Sequence, residues 1–127
     1  MTENDIATVV FGVCKQILER LGPGLLEKTY ETILVHELTK LGLDAKPQVS
    51  LPIEYDGIII EDAYRMDILI ENKVILELKA VESLTPLNKA QLLTYLKLTG
   101  KKLGLLINFN VEYMGKGIVR VVNGLEE

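Results

Sequence analysis

The chain has 127 residues, of which 48% are hydrophobic and 25% charged, and its net charge is −4. Length and composition predict a single globular domain over residues 1–127. The negative charge argues against a protein that coats nucleic acid non-specifically, because such proteins carry excess lysine and arginine. No apolar run approaches the roughly 20 residues that cross a bilayer, and no signal peptide is apparent, so no membrane association is expected. The lone Cys14 favours a reducing, cytoplasmic location.

Two helices are predicted first. Residues 5–21 carry apolar side chains at helical spacing. Pro23, within the Gly-Pro-Gly sequence that follows, suits the first position of a second helix. That helix is predicted to run to about Leu41 and to stop at Gly42, because glycine commonly ends helices.

Three strands are predicted next. Residues 46–55 alternate apolar and polar side chains, and two prolines confine this segment to a sheet edge. Asp56-Gly57 predicts a tight hairpin turn into a strand over residues 58–70. A second tight turn leads into the strand VILELKAV at residues 74–81.

One helix and two strands complete the predicted order. Thr85, as N-cap, and Pro86 begin a helix that ends at Gly100. Residues 103–109 are apolar on both faces, which predicts a central strand, and residues 117–122 form a short last strand. The order ααβββαββ predicts an α/β fold with a central mixed sheet flanked by helices.

Three polar residues interrupt the apolar strand patterns. Asp67 is predicted to lie opposite an apolar face, and Glu77 and Lys79 share the polar face of the next strand. A three-residue loop at 71–73 would pair residue 67 with residue 77 and bring all three together, whereas a two-residue loop would separate them. In the strand over residues 58–70, the predicted apolar face consists of Tyr64, Met66, Ile68 and Ile70.

Two helical residues are similarly out of place. Glu27 falls within about 20° of Leu34 and Leu38 on a helical wheel, on the apolar side of the second helix. Gln91 shares a stripe with Leu87, Tyr95 and Leu98 in the third helix. Because a buried carboxylate or amide needs a partner, both side chains are predicted to point at the hairpin.

The charges of this predicted group suggest a cation. Glu27, Asp67 and Glu77 contribute three negative charges and Lys79 one positive charge, a net −2 that one divalent ion would neutralise. Oxygen donors without histidine or cysteine favour Mg²⁺ or Mn²⁺ over zinc.

The arrangement D67-x₉-E77-x-K79 resembles the signature of the PD-(D/E)XK nuclease superfamily. The segment GLLEKTY at residues 24–30 looks like the GxxExxY motif of a family of small bacterial proteins in that superfamily. QLLTY at residues 91–95 is similar to a Gln-x-x-x-Tyr helix found in several of its branches. The resemblance covers about residues 5–122 and implies a restriction-endonuclease-like core, although Met66 stands where the named motif has proline.

This resemblance implies roles for the grouped residues. Asp67 and Glu77 would hold Mg²⁺ or Mn²⁺ with the Leu78 carbonyl, and Glu27 would be a further ligand, direct or through water. Lys79 would position or deprotonate the water that attacks a phosphodiester.

Further residues are implied as contacts. Gln91 and Tyr95 would orient Lys79 or touch the substrate, Arg65 would hold a phosphate or serve as an ion-pair partner, and Tyr30 would touch substrate or line the pocket. The implied substrate is nucleic acid, with DNA favoured over RNA, and a homodimer would double the binding surface.

Three interpretations follow from the sequence. The first is a metal-dependent nuclease. The second is the same fold serving nucleic-acid or protein binding with weak or no catalysis, because the chain is small and acidic and has one compact basic cluster, Lys97, Lys101 and Lys102. The third is an unrelated α/β protein whose hairpin charges are surface ion pairs.

Overall fold

The computed structural model describes residues 1–126 and consists of one five-stranded sheet with helices on both faces. The elements in chain order are α1 (Glu3–Leu21), α2 (Glu27–Lys40), β1 (Ala45–Tyr55), β2 (Ile58–Ile70), β3 (Val74–Lys79), α3 (Pro86–Thr99), β4 (Leu103–Asn108), α4 (Met114–Gly117) and β5 (Ile118–Val122).

The strands follow one another across the sheet in the order β1-β2-β3-β4-β5. Strands β3 and β4 are parallel, and the other neighbouring pairs are antiparallel. Parallel neighbours need a crossover connection, which α3 provides. The predicted α/β class with a mixed sheet and flanking helices is therefore confirmed.

The sheet separates two apolar clusters of unequal size. The larger cluster lies against α1 and α2, and the smaller lies against α3. Members of the larger cluster include Ile6, Val10, Ile17, Leu34, Leu38, Ile68, Leu76 and Leu105. The smaller consists of Met66, Leu69, Ile75, Leu92, Tyr95, Leu96 and Leu106. The hairpin of β2 and β3 therefore lies between two packed layers.

A glycine in β4 sets the distance between α3 and the sheet. A Cβ atom at Gly104 would lie 2.8 Å from the Leu92 side chain, closer than packed carbon atoms tolerate. Helix α3 can therefore approach β4 closely only because position 104 has no side chain. This close approach brings the inner face of α3 against the middle of the sheet.

The predicted start of α2 is wrong by several residues. The helix begins at Glu27 instead of Pro23, because Gly24 adopts φ +107°, which is incompatible with a helix. The Tyr30 hydroxyl fixes the intervening loop by donating to the Gly22 carbonyl at 2.6 Å and accepting from the Leu25 N–H at 3.2 Å. The helix ends at Lys40, close to the predicted Gly42.

The other helices match the sequence pattern more closely. Thr85 caps α3 as predicted, and its hydroxyl accepts from the Asn88 N–H at 3.2 Å. The four-residue α4 was not predicted, because its sequence, MGKG, has no apolar periodicity. None of the helices in residues 1–126 is long and apolar enough to cross a bilayer.

Candidate active site

The turn between β2 and β3 determines which hairpin residues face one another. Ile70 pairs with Val74, and Ile68 pairs with Leu76, so the turn contains three residues. Glu71 and Asn72 in this turn adopt φ angles of +52° and +55°. The structure therefore has the three-residue loop of the two alternatives that the sequence left open, and this register brings residue 67 level with residue 77.

The even-numbered side chains of strand β2 that precede Asp67 and those that follow it pack on different faces of the sheet. Met66 packs in the α3-side cluster, whereas Ile68 packs in the α1–α2 cluster. Alternation predicted one continuous face for both residues, and that prediction is wrong. Position 48 on β1, level with Asp67, is absent from the strand pairing, and Gln48 has φ +52°. The two strands are therefore distorted together, and Asp67 lies at the change of face.

Two side-chain carboxylates replace main-chain pairing at this point. The Leu78 N–H donates to Asp67 Oδ2 at 2.8 Å, and the Asp67 N–H donates to Glu77 Oε1 at 3.4 Å. Glu77 is only 6% exposed. Both carboxylates are therefore held next to one another inside the hairpin, with main-chain donors satisfying part of their hydrogen-bonding capacity.

This burial changes the acidity of both groups. Desolvation, followed by repulsion from the neighbouring Asp67, raises the pKa of Glu77 to about 9. Desolvation also raises the pKa of Asp67, against the opposing hydrogen bond from Leu78. Two buried carboxylates side by side disfavour double ionisation unless positive charge is supplied. Such perturbed groups are typical of functional sites.

Lys79 and Tyr95 flank the carboxylate pair from opposite elements. The positive charge of Lys79 acts to lower the pKa of both Asp67 and Glu77, which places its ammonium group within their electrostatic reach. Desolvation and then the charges of Glu77 and Asp67 raise the pKa of Tyr95. The Tyr95 ring stacks on Tyr64, with centroids 4.0 Å apart, and this contact fixes its position.

Glu27 reaches the same region from α2. Its Oε1 accepts from the Ala80 N–H at 3.1 Å, at the end of β3 and one residue after Lys79. The predicted orientation of Glu27 toward the hairpin agrees with this contact, although Glu27 is an exposed residue at the first position of the helix.

A family model now identifies the fold. The model of the PD-(D/E)XK nuclease superfamily matches residues 4–121, which is nearly the whole chain. The chain belongs to the PD-(D/E)XK nuclease superfamily. No curated protein matches the sequence. Among solved structures, the crystal structure of SSO0001 is similar, with 22% sequence identity and a TM-score of 0.57.

This structural match supports the fold of the PD-(D/E)XK chain. It covers 79% of this chain and 52% of SSO0001, so the chain spans about half the length of that protein. At this level of identity, the likeness shows a shared fold and does not assign an activity.

The donor set of this PD-(D/E)XK chain fits a hard divalent cation. Within residues 1–126, no three acidic, histidine or cysteine side chains are grouped so as to hold a metal by themselves. Mg²⁺, however, usually keeps several water ligands and binds through one or two carboxylates. Asp67 and Glu77 offer two carboxylates whose repulsion a cation would relieve.

A cleft of about 180 Å³ beside Asp67 contains residues that the sequence analysis missed. It is lined by Glu27, Lys28, Glu31, Gln48, Asp67 and Leu78. Glu31 is 4% exposed, and its carboxylate accepts from Lys28 Nζ at 2.9 Å and from the Gln48 side-chain amide. Glu31 follows Glu27 by four residues and precedes Leu34 by three. Helical spacing alone would therefore have revealed this second inward carboxylate.

Asn108, at the end of β4, was also missed. Its Oδ1 accepts from the Val81 N–H at 3.1 Å, and its Nδ2 donates to the Val81 carbonyl at 2.9 Å. Asn108 is 3% exposed. This side chain secures the segment that leaves β3 just after Lys79. The apolar pattern of residues 103–109 gave no indication of this role.

In the part of the chain that the structure describes, the remaining predicted site residues form no hydrogen bond or ion pair with the carboxylate pair. Gln91 is exposed on α3, and within residues 1–126 its side chain forms no hydrogen bond. Arg65 is exposed on β2, two residues before Asp67. Tyr30 is fully buried, and its ring stacks on Phe109 with centroids 4.3 Å apart. Tyr30 therefore supports the scaffold and is not accessible to a substrate.

Proposed function

We propose that this chain is a metal-dependent phosphodiesterase of the GxxExxY branch, acting on nucleic acid, with DNA favoured over RNA. The observation that carries the proposal is the adjacent pair of the buried Glu77 and the partly buried Asp67, in which desolvation and then repulsion from Asp67 raise the pKa of Glu77 to about 9. A purely structural hairpin would be more stable with apolar residues at these positions, because burying charges is costly. Two adjacent carboxylates beside a lysine are suited to binding a cation and activating water.

The proposed cation ligands are side-chain oxygens of Asp67 and Glu77 and the Leu78 carbonyl, with Glu27 as a further ligand, direct or through water. Mg²⁺ or Mn²⁺ bound there would stabilise the charge that develops on a phosphate and acidify a water molecule. The Leu78 N–H orients Asp67, and the Asp67 N–H orients Glu77. The hairpin main chain thus fixes both ligands before a cation arrives.

Lys79 is the residue proposed to position the attacking water as an ammonium donor, or to deprotonate it as a neutral amine. Its ammonium group acts on both carboxylates, so it lies at the edge of the proposed cation site. The Tyr95 hydroxyl faces the same carboxylates and would hydrogen-bond a substrate oxygen or Lys79. Arg65 is exposed on β2, two residues before Asp67, and we assign it to a contact with the substrate backbone.

The proposal includes a location and a partner. Cys14 is fully buried and forms no disulfide, which agrees with a reducing cytoplasm. Burial raises the pKa of the Cys14 thiol to about 12, so it is unreactive. The partner is nucleic acid held across the open side of the cleft that contains Asp67.

The test is cleavage of supercoiled plasmid, single-stranded DNA and RNA with Mn²⁺ or Mg²⁺. The wild-type chain is expected to nick or cleave at least one substrate, and Asp67→Asn and Lys79→Ala are expected to abolish the product. Lys15→Ala, which removes an exposed lysine on α1, is the matched control and should retain activity. Equal cleavage by wild type and Lys79→Ala would reject the proposed role of Lys79.

A second function is favoured by one observation. The chain is small and acidic, with 127 residues and a net charge of −4, which is compatible with a nuclease fold retained for binding nucleic acid or protein. That alternative predicts nucleic-acid or protein binding that survives Lys79→Ala and needs no divalent ion. Mobility-shift measurements with wild type and Lys79→Ala, in EDTA and in Mg²⁺, separate the two functions.

A further inference from the structure

The β1–β2 hairpin extends beyond the rest of the sheet. Strand β2 has 13 residues, yet β3 pairs only with residues 68–70. The outer part of the hairpin, residues 51–63, is named the arm. Its two strands pair with each other, as in Ile53 with Ile60 and Tyr55 with Ile58. Within residues 1–126, no third strand pairs with the arm.

One face of the arm is apolar and open. Directly opposed residues of an antiparallel pair project to the same side, so Ile53, Tyr55, Ile58 and Ile60 share one face. Tyr55 is 70% exposed, Ile58 59% and Ile60 44%. Apolar side chains gathered on one open face are typical of an interaction surface.

The charge of the arm restricts its partner. Residues 51–63 contain four acidic residues and no lysine or arginine, and the acidic residues are Glu54, Asp56, Glu61 and Asp62. Within residues 1–126, none of these four forms an ion pair. Nucleic acid, an anionic membrane and a second arm would all be repelled by this charge. A suitable partner is apolar and basic.

The outer side of α3 has the required chemistry. Leu87 is 77% exposed and Leu98 47%, and their separation of 11 residues places them on one helical stripe. Residues 86–102 contain four lysines and no acidic residue, and three of the lysines, Lys97, Lys101 and Lys102, lie at the stripe's C-terminal end. Lys101 donates to the Asn72 amide oxygen, a contact that leaves its charge unneutralised.

We propose that the apolar face of the arm docks on the Leu87–Leu98 stripe of a second copy of this chain, where the net negative charge of the arm meets the net positive charge of the partner's residues 86–102. The four acidic residues of the arm match the four lysines of residues 86–102 in number and are opposite in sign. A reciprocal exchange satisfies both arms and closes the assembly as a two-fold dimer.

Two docked arms remove twice as much apolar area from water as one arm. A single arm would not bury enough area for a stable dimer. This proposal uses neither the carboxylate pair nor a cation. It therefore stands or fails separately from the proposed nuclease function.

The test is the mass of the full chain in EDTA without nucleic acid, measured by sedimentation velocity over a concentration series. Wild type is expected to dimerise, and Ile60→Lys is expected to weaken the dimer by roughly tenfold or more. Circular dichroism should show that Ile60→Lys remains folded, because the arm lies outside both apolar clusters. A wild type that stays monomeric throughout the series overturns the proposal.

Charge reversal tests the partner surface. Lys97→Glu with Lys101→Glu should weaken the dimer, because it removes positive charge from the surface on which the acidic arm docks. Lys15→Glu with Lys40→Glu makes the same change in net charge away from α3, so it should leave the dimer intact. If Lys97→Glu with Lys101→Glu leaves the dimer unchanged, or if the control weakens the dimer equally, docking on α3 is contradicted.

Mixing two defective chains distinguishes arm-to-helix from arm-to-arm contact. The Ile60→Lys chain keeps an intact α3, and the Lys97→Glu, Lys101→Glu chain keeps an intact arm. Their mixture should form a heterodimer through one complete contact, weaker than wild type and tighter than either variant alone. No gain on mixing, with the α3 variant itself dimerising normally, would assign the interface to paired arms and reject the proposal.

Discussion

Strand β2 has an outer half, residues 58–63 in the arm, and an inner half, residues 64–70. The outer half exposes apolar side chains to solvent, whereas the inner half has a partly buried carboxylate. In the outer half, Ile58 and Ile59 are more than half exposed. In the inner half, Asp67 lies between two apolar clusters and contacts the buried Glu77. Exposed isoleucine suggests a partner surface, whereas buried carboxylate suggests a bound ion. Two adjacent segments of one strand therefore indicate two different interactions.

The same strand also shows how much burial depends on its neighbours. The inner half is covered by β1, β3 and helices on both faces, so an apolar side chain there is removed from water. Within residues 1–126, the outer half has only β1 beside it. Stability should therefore depend strongly on the inner half and weakly on the outer half, while association should depend on the outer half.

The largest expected effect concerns the inner half. Lys79→Ala should reduce metal-dependent cleavage by about 10²–10⁴-fold, the usual contribution of a positioned proton-transfer group. Initial rates at saturating Mn²⁺ provide the measurement. Stability should change little, because Lys79 is only partly buried. A fall in rate that matches a fall in folded fraction would instead assign Lys79 a structural role.

Truncating matched isoleucines compares the two halves directly. Ile68→Ala should lower the free energy of unfolding by about 2–5 kcal/mol, because Ile68 is fully buried. Ile59→Ala, on the face of the arm opposite the proposed interface, should change it by less than about 0.5 kcal/mol. Urea unfolding measures both variants at one low protein concentration. Similar losses in both would mean that the arm is packed in solution.

The pH dependence of stability tests the state of Glu77. Its pKa in the folded chain is raised from 4.5 to about 9, so between these values the folded state binds the proton more tightly than the unfolded state. The free energy of unfolding should therefore fall as pH rises through this range, by up to about 1.4 kcal/mol per pH unit from this group.

Glu77→Gln should remove that part of the dependence and make the metal-free protein more stable than wild type at pH 8. Urea unfolding of both proteins in EDTA from pH 5 to pH 9 gives the comparison. Parallel curves for wild type and Glu77→Gln would show that Glu77 is ionised throughout.

A smaller effect is expected at the loop that positions Glu27. Tyr30→Phe keeps the ring stack on Phe109 but removes the hydroxyl that donates to the Gly22 carbonyl. The loss should be about 1–2 kcal/mol of unfolding free energy. Tyr113→Phe, at a 60% exposed tyrosine, is the matched control and should be neutral. Equal melting temperatures for wild type and Tyr30→Phe would contradict a structural role for the hydroxyl.

The sequence predicted the parts of this fold that follow a regular period. The hairpin turn at Asp56-Gly57 and the Thr85 cap rest on local backbone chemistry that a sequence displays, whereas the length of the loop at 71–73 was left open between two and three residues. The change of face at Asp67 could not be predicted, since it depends on Gln48 in a neighbouring strand. Regular alternation carries no information about such a paired distortion.

The site shows the same division. The sequence indicated four candidate residues because each interrupts an apolar pattern, namely Glu27, Asp67, Glu77 and Lys79. Glu31 was detectable by the same reasoning, through its four-residue spacing from Glu27. Asn108 was not, because it ends an otherwise apolar strand and acts through the main chain of Val81. Gln91 was expected to point inward, but α3 buries the neighbouring stripe of Leu92, Tyr95 and Leu96.

The most direct test of the central claim is calorimetric titration of Mn²⁺ and Mg²⁺ into the metal-free chain, beside Asp67→Asn and Glu77→Gln. Glu112→Gln, at an exposed glutamate near α4, is the matched control. The account predicts about one ion per chain in wild type and control, and loss of binding in both site variants. Binding that persists in Asp67→Asn and Glu77→Gln, or no binding in wild type with or without nucleic acid, would contradict a cation site at this hairpin.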